Sequence, residues 1–110
     1  ALKAGVTHYT RMAGVELGPH QIRVNSISPG AIATPIFYGG SQRANDLTNE
    51  ENERKMQKLK GNLANAVPLK RSGLASDIAE AALYLSSDAG SFVTCQDIVV
   101  DGGRTAMFNE

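Results

Sequence analysis

The sequence has one cysteine, no tryptophan, no excess of charge of either sign and no long apolar run. Cys95 has no second thiol in the chain with which to form a disulfide. The 11 basic and 11 acidic residues give a formal charge of zero, so nucleic acid and anionic membranes gain no general electrostatic attraction. No apolar stretch approaches the roughly 20 residues of a membrane-spanning helix. We therefore expect a soluble protein of a reducing compartment, the cytoplasm, with no nucleic acid and no membrane among its partners.

The length of 110 residues suits one small domain or part of one. The chain begins with alanine and not methionine, and no charged segment followed by an apolar one stands at its start. The first helical pattern has no capping residue ahead of Leu2, yet it ends well, with Gly18 expected in the left-handed position and Pro19 beyond it. We expect the later part of a longer protein.

Two segments have the apolar spacing of helices. The first runs from Leu2 to Leu17 and predicts that Tyr9 packs in the core. The second, "ASDIAEAALYLSSDAG", predicts a helix with Ser76 as its N-cap and Asp77 in its first turn. The polar segment 49–62 stays open between a mobile excursion and a helix on a solvated surface.

Two segments have the composition of strands. Residues 22–28 are rich in β-branched side chains between turn formers, and residues 98–100 form a short apolar run before a glycine turn. Helix, strand, irregular segment, helix and strand make up the end of an alternating α/β pattern. Two strands are too few for a parallel sheet that is covered on both faces, so the pattern predicts an incomplete one.

The stretch "ISPGAIATPIF", residues 27–37, passes from a strand into a turn of small and rigid residues. In doubly wound sheets, ligands bind beyond the carboxyl ends of the strands, where this stretch would emerge. Proline fixes such a turn, and glycine removes the side chain that would keep a flat ring away from the backbone. A plain type II turn is the alternative explanation.

Two longer stretches, "LKAGVTHYTRMAGVELGPHQIRVNSISPGAIATP" and "PLKRSGLASDIAEAALYLSSDAGSFVTCQDIVVDGG", cover nearly the whole chain. Their order and spacing are similar to the C-terminal part of the short-chain dehydrogenase/reductase family. The resemblance implies that residues 1–110 are the C-terminal part of a single NAD(P)-binding Rossmann domain, whose doubly wound parallel sheet is incomplete here. The N-terminal half that binds the dinucleotide phosphates would be absent from this chain.

The resemblance also implies roles for individual residues. Lys3 matches the lysine of the family's Tyr-x-x-x-Lys pair, whose tyrosine would fall before the chain begins. An adjacent ammonium stabilises a phenolate, and the family's lysine also binds the nicotinamide ribose. Pro29 and Gly30 would border the nicotinamide, the backbone of Ile32 would bond its carboxamide, and the Thr34 hydroxyl would add a second hydrogen bond.

The segment 36–65 corresponds to the family's variable substrate loop. Its Phe37, Tyr38 and Met56 would either line an apolar pocket or pack under a mobile loop. No residue chooses between NAD and NADP. Related enzymes associate through the regions that correspond to residues 2–17 and 78–100, so the resemblance implies a homo-oligomer, a dimer or tetramer, for the full-length protein.

Other residues that carry reactive side chains have plainer explanations. His8 and His20 are isolated from other metal-ligating types, so we predict no metal site. Cys95 stands where the family often has glycine, and we expect it to be a small packing residue rather than a nucleophile.

The resemblance implies an oxidoreductase that transfers a hydride between NAD(P)(H) and a small alcohol or carbonyl substrate. This activity would require the missing half, and the 110 residues alone would be inactive. The alternative is a non-catalytic binding or assembly protein that keeps part of the fold.

Overall fold

The computed structural model describes residues 2–34, 45, 46 and 48–108. The longer helices and the strands of these residues, numbered in chain order, are α1 (Leu2–Leu17), β1 (Ser26–Pro29), α2 (Asn49–Asn65), α3 (Ala75–Ser86) and β2 (Asp97–Val100). Short 3₁₀ helices cover Gly18–His20, Asp88–Gly90 and Thr105–Phe108. The chain divides into two compact units. The first unit is Ala1–Ser28 with Ile78–Val100, and the second is Pro29–Asp77 with Asp101–Glu110.

In the first unit, β1 and β2 are hydrogen-bonded neighbours that run parallel, which confirms the predicted α/β class. The backbone N–H of Ser26 donates to the carbonyl of Gln96 over 2.9 Å. The hydroxyls of Ser26 and Ser28 both donate to one carboxylate oxygen of Asp97, each over 2.8 Å. Because alternate residues of a strand share a face, this one carboxylate holds two successive positions of β1 and helps to fix the register of the pair.

Helix α1 buries a different face from the predicted one. The prediction that Tyr9 packs in the core is wrong, since its side chain is 71% exposed. The buried positions are Thr10 and Gly14. A Cβ atom on Gly14 would lie 3.3 Å from Oγ1 of Thr94 and would collide with Sγ of Cys95. The helix therefore approaches its neighbours through small residues, a contact that the spacing of its large apolar residues does not indicate.

The end of α1 is where the Gly-Pro pair predicts it, but the left-handed residue is not Gly18. The helix ends at Leu17 and passes into the 3₁₀ turn of Gly18–His20. Gln21 then takes the left-handed conformation, with φ of 63°, and its N–H donates to the Gly18 carbonyl. The proline sets the turn, so the chain reverses three residues later than a glycine cap would place it.

The polar segment 49–62, whose sequence allows either a mobile excursion or a helix, forms helix α2, which includes Met56. Its N-cap is Thr48, whose hydroxyl accepts the N–H of Glu51 over 3.1 Å. Glu50 and Glu51 lie in the first turn, where negative charge interacts favourably with the helix dipole. Phe37 and Tyr38 lie outside the described residues.

Helix α3 begins at Ala75, two residues earlier than an N-cap at Ser76 predicts, so Ser76 lies inside the helix and is not the N-cap. The capping group is the carboxylate of Asp77, whose Oδ2 accepts the N–H of Leu74 over 2.8 Å. The same carboxylate receives both terminal nitrogens of Arg71, each over 3.1 Å. An acid in the first turn that bonds back to the residue before the helix performs the reciprocal half of a capping box.

Candidate functional site

The 29–34 loop, residues Pro29–Thr34, begins at the last residue of β1 and belongs to the second unit. Its one glycine, Gly30, does not have a positive φ, so the type II turn that a Pro-Gly pair suggests does not form. The left-handed residue is Ala31, with φ of 55°. For a residue with a Cβ atom this conformation costs roughly 1–2 kcal/mol. Strain of this kind persists where the surroundings over-determine the backbone, and it is concentrated at functional sites.

The surroundings that hold Ala31 are supplied by Gly73. Its N–H donates to the carbonyl of Ala31 over 2.9 Å, and its carbonyl accepts the N–H of Ala33 over 2.8 Å. A Cβ atom on Gly73 would lie 3.2 Å from the Ala31 oxygen and would collide with the side chain of Ile32. Ala33, 8% exposed, is the buried residue of the loop. The loop is thus fixed at the residues on both sides of Ile32.

This parallel bridge between Ile32 and Gly73 leaves the backbone of Ile32 itself unused. In such a bridge the two bonds go to the neighbours of the central residue, whose own N–H and C=O face the opposite way. Neither group of Ile32 has a hydrogen-bond partner among the described residues. A donor and an acceptor therefore lie side by side on a fixed backbone, an arrangement that can bind a primary carboxamide.

The remaining predicted site residues are placed as follows. Thr34 is half-buried, and its hydroxyl has no hydrogen-bond partner among the described residues. Met56 is half-buried on α2 in the second unit. Lys3 lies in α1, in the first unit. The structure therefore brings Pro29, Gly30, Ile32 and Thr34 together in one loop of the second unit.

The Asp101 turn, residues 101–105, follows β2 and lies directly against this loop. A Cβ atom on Gly30 would be 2.9 Å from the Cβ of Asp101, so the two backbones meet with no room for a side chain. The Asp101 carboxylate accepts the N–H of Gly103 over 2.9 Å and the N–H of Thr105 over 2.8 Å. The hydrogen bonds from Thr105 are the main cause that holds the pKa of Asp101 below its ordinary value. An aspartate followed by two glycines is the sequence signal that indicates such a turn.

The segment that precedes α3 holds the Asp101 turn in place. The N–H of Leu69 donates to the carbonyl of Gly102 over 3.2 Å, and the Arg104 guanidinium donates to the carbonyl of Ala66 over 2.8 Å. Val67, 1% exposed, would lie 3.3 Å from a Cβ atom on Gly102, whose φ is 64°. The turn that contacts Gly30 is therefore a fixed part of the second unit.

Asp77 and Arg71 are the other described residues of the second unit whose pKa values differ from their ordinary values. The guanidinium, followed by the Leu74 N–H, holds the pKa of Asp77 below its ordinary value, and Asp77 raises the pKa of Arg71. Both groups are solvent-accessible and bonded to each other. We interpret them as a structural pair at the start of α3, because a solvated ion pair explains the altered pKa values without catalysis.

The first unit has a concave surface of about 460 Å³, lined by Gln21, Arg23 and Ile27 among others. The guanidinium of Arg23 already donates to the carbonyls of Leu85 and Ser87 at the end of α3. A cation at a helix C-terminus interacts favourably with the helix dipole. The Arg23 guanidinium, which would attract an anion to this surface, is therefore already bonded to backbone carbonyls. The 29–34 loop is the better candidate site.

Residues with reactive side chains outside the loop have structural surroundings. His8 and His20 are exposed, and Cys95 is half-buried with φ of 66°, a conformation that glycine adopts freely. Within the described ranges, no three metal-ligating side chains come close enough together to hold an ion. None of the helices there combines the length and the apolar composition that a membrane crossing requires.

Comparison with known proteins agrees with this geometry. A family model described as enoyl-(acyl carrier protein) reductase matches residues 1–105. The chain belongs to the short-chain dehydrogenase/reductase family. This short-chain dehydrogenase/reductase chain is 43% identical over 103 residues to an uncharacterised oxidoreductase of Mycobacterium tuberculosis, a match that covers 94% of the chain and 34% of the relative.

Two further relatives have named activities. A 3-oxoacyl-[acyl-carrier-protein] reductase of Chlamydia pneumoniae is 36% identical, over 96% of this chain and 36% of its own length. A solved structure of an NADPH-dependent reductase involved in bacilysin biosynthesis superposes with a TM-score of 0.67 and 33% identity, over 92% of this chain and 37% of that protein. This short-chain dehydrogenase/reductase chain thus spans about a third of the length of the relatives it matches.

Proposed function

We propose that the whole protein is an NAD(P)-dependent oxidoreductase that transfers a hydride between the cofactor and a small alcohol or carbonyl substrate. The observation that carries this proposal is the unused backbone N–H and C=O of Ile32, held on a loop that Gly73 fixes on both sides. Membership of the short-chain dehydrogenase/reductase family supports it. The cofactor, NAD or NADP, would supply and accept the hydride when bound.

The residues of the 29–34 loop would fix the orientation of the nicotinamide. The N–H of Ile32 would donate to the carboxamide oxygen, and its C=O would accept from the carboxamide NH₂ group. The Thr34 hydroxyl would supply a further bond, and Pro29 and Gly30 would border the ring. The loop would thereby determine which face of the ring meets the substrate, which is the main contribution of a protein to cofactor chemistry.

Lys3 would complete the proton transfer. By the family resemblance, a tyrosine one helical turn earlier would exchange a proton with the substrate oxygen, and the Lys3 ammonium would favour its phenolate form. Phe37, Tyr38 and Met56 would contact the substrate. The name of the Chlamydia pneumoniae relative places a carbonyl group in that protein's substrate, and we propose the same functional group here.

An analogue of the cofactor tests the Ile32 contact directly. In 3-acetylpyridine adenine dinucleotide a methyl group replaces the carboxamide NH₂, so the Ile32 carbonyl loses its donor. We expect the full-length protein to bind this analogue about 2- to 10-fold more weakly than the natural dinucleotide, the usual value of one hydrogen bond. Fluorescence titration measures both affinities. Equal affinities would exclude the proposed carboxamide contact.

The non-catalytic alternative predicts a different result from the same protein. If the family fold serves only binding or assembly, the full-length protein will not oxidise NAD(P)H in the presence of any of a panel of ketones and aldehydes. We expect oxidation by the full-length protein and none by the 110-residue chain alone. Turnover by the 110 residues above a blank would show that the rest of the protein is dispensable.

We also propose that the full-length protein is a homo-oligomer, a dimer or tetramer. The regions concerned, 2–17 and 78–100, include large apolar side chains that are exposed in the first unit, such as Val15 and Phe92. Light scattering during size-exclusion chromatography at micromolar concentration gives the mass. The mass of a single chain would exclude this assembly.

A further inference from the structure

We propose that Asp101 is a positioning residue for nicotinamide binding: it sets the place of the 29–34 loop through its contact with Gly30 and need not touch the cofactor. The inference rests on the proposed function of that loop. Asp101 is buried, with 9% of its surface exposed, and its carboxylate faces its own turn. Both carboxylate oxygens are bonded to N–H groups of its own turn, at Gly103 and Thr105.

Asp101 contacts Gly30 through its Cβ atom and not through its carboxylate. The carboxylate of Asp101 is bonded to its own turn, whereas its Cβ atom faces the backbone of Gly30. Only 2.9 Å would separate the Asp101 Cβ from a Cβ atom on Gly30, so no flexible side chain lies between the two segments. Interiors packed this closely transmit small displacements. A movement of Asp101 would therefore pass directly to Gly30.

The contact at Gly30 lies close in sequence to the backbone groups that would bind the nicotinamide. Gly30 is two residues before Ile32, whose free backbone groups would bind the carboxamide. Gly73 fixes Ala31 and Ala33, but neither of these backbone hydrogen bonds reaches Gly30. The Asp101 turn therefore supports the entrance of the loop, and Gly73 supports its centre. Misplacement of a binding group by about 1 Å is enough to reduce binding and catalysis strongly.

The low pKa of Asp101 agrees with this assignment. Because the N–H and hydroxyl donors of Thr105 stabilise the ionised form, the carboxylate is charged at neutral pH and keeps all its acceptor sites. Replacement by asparagine keeps the Cβ atom and one acceptor oxygen, but it exchanges the other oxygen for a donor that would face an N–H group. Asp101→Asn should therefore loosen the turn without creating a cavity.

The test uses the full-length protein and two ligands. NADH and NADPH contain the nicotinamide, whereas ADP-ribose and its 2′-phosphate lack it and would not contact the 29–34 loop. We expect Asp101→Asn to weaken binding of the nicotinamide-containing ligand by about tenfold and binding of its shorter counterpart by less than about twofold, the difference expected from loss of well-placed contacts. Fluorescence titration and calorimetry give the affinities.

A matched control separates positioning from general loss of stability. Leu85 is buried in the first unit, and Leu85→Ala should destabilise the protein by leaving a cavity. We expect this variant to retain the wild-type ratio of the two affinities. Should Asp101→Asn fail to fold, Thr105→Val removes only the hydroxyl that bonds Asp101, and we expect the same selective effect at about threefold.

The outcomes distinguish the inference from the function on which it rests. Equal weakening of both ligands by Asp101→Asn, or by Thr105→Val in its place, would show a merely structural role and overturn the inference, while the proposed function would stand. A wild-type protein that binds NAD(P)H no better than the ligand without nicotinamide would overturn both. Selective loss of nicotinamide binding, with an unchanged ratio in Leu85→Ala, would establish the assignment.

Discussion

At the scale of single residues, the candidate site depends on positions where a side chain is absent or strained. Gly30 meets Asp101 at a distance that excludes a Cβ atom, and Gly73 lies so close to the backbone oxygen of Ala31 that a Cβ atom there would be tightly packed. Ala31 carries the left-handed strain between them. The glycine of the Pro-Gly pair serves close packing and does not have a positive φ.

Gly30→Ala should destabilise the protein by about 1–3 kcal/mol, because its Cβ atom would overlap with that of Asp101 and force the backbone to shift. Gly61 offers a matched control in the same unit, since nothing lies within 4 Å of a Cβ atom there and the residue is inside α2. Gly61→Ala should stabilise by up to about 1 kcal/mol. Urea unfolding measures both, and a neutral Gly30→Ala would contradict the packing described.

Asp101 should also make stability depend on pH. Its pKa is lower in the folded state than in the unfolded chain, so its contribution to the free energy of unfolding is complete above the unfolded value and is lost as the pH falls through the folded one. We expect stability to fall below about pH 5, where the unfolded carboxyl begins to bind protons. Asp101→Asn should reduce this dependence, and an unchanged slope between unfolding free energy and pH would contradict it.

At the scale of elements, helix ends were predicted well and their caps less well. The Gly-Pro pair predicted the end of α1 at Leu17, and the predicted N-cap Ser76 placed the start of α3 within two residues of Ala75, where the helix begins. The choice of the group that caps α3 depends on the position in which the residues just before the helix are held. Arg71 holds the Asp77 carboxylate, and that carboxylate reaches back to Leu74.

Two substitutions test the cap of α3. Asp77→Ala should lower the melting temperature, because the Leu74 N–H and the Arg71 guanidinium both lose their acceptor. Ser76→Ala should leave stability unchanged or raise it slightly, since Ser76 lies within the helix and alanine is the better helix former. Differential scanning calorimetry measures both. A larger loss for Ser76→Ala than for Asp77→Ala would restore serine as the N-cap.

At the scale of the whole molecule, the described residues bury little apolar surface. Their buried hydrophobic side chains are Ala33, Val67 and Leu85, while Tyr9, Val15 and Phe92 are among the large apolar residues left exposed. Monomeric proteins rarely expose apolar surface in large contiguous patches. The chain spans about a third of the length of the relatives it matches, and in the full-length protein proposed above we expect further segments to cover part of this surface.

The 110-residue chain alone should therefore bind the dye ANS, whereas the full-length protein should bind far less of it under the same conditions. Exposed apolar surface is what ANS detects in incompletely packed proteins. Thermal unfolding followed by near-ultraviolet circular dichroism should also be broader for the shorter chain, because a small core gives a weakly cooperative transition. Equal dye binding by the two proteins would contradict this expectation.

The sequence by itself determined the α/β alternation, the places of α1, α3 and β2 to within two residues, and the loop that carries the candidate site, whereas the first strand, predicted at residues 22–28, begins only at Ser26. These features depend on residue periodicity and on turn formers that act over a few neighbours. Only the tertiary structure decided that Tyr9 is exposed, that Ala31 and not Gly30 is left-handed, and that Asp101 supports the loop. Each of these depends on contacts between segments far apart in the chain, and local patterns do not encode which distant residue will fill a given space.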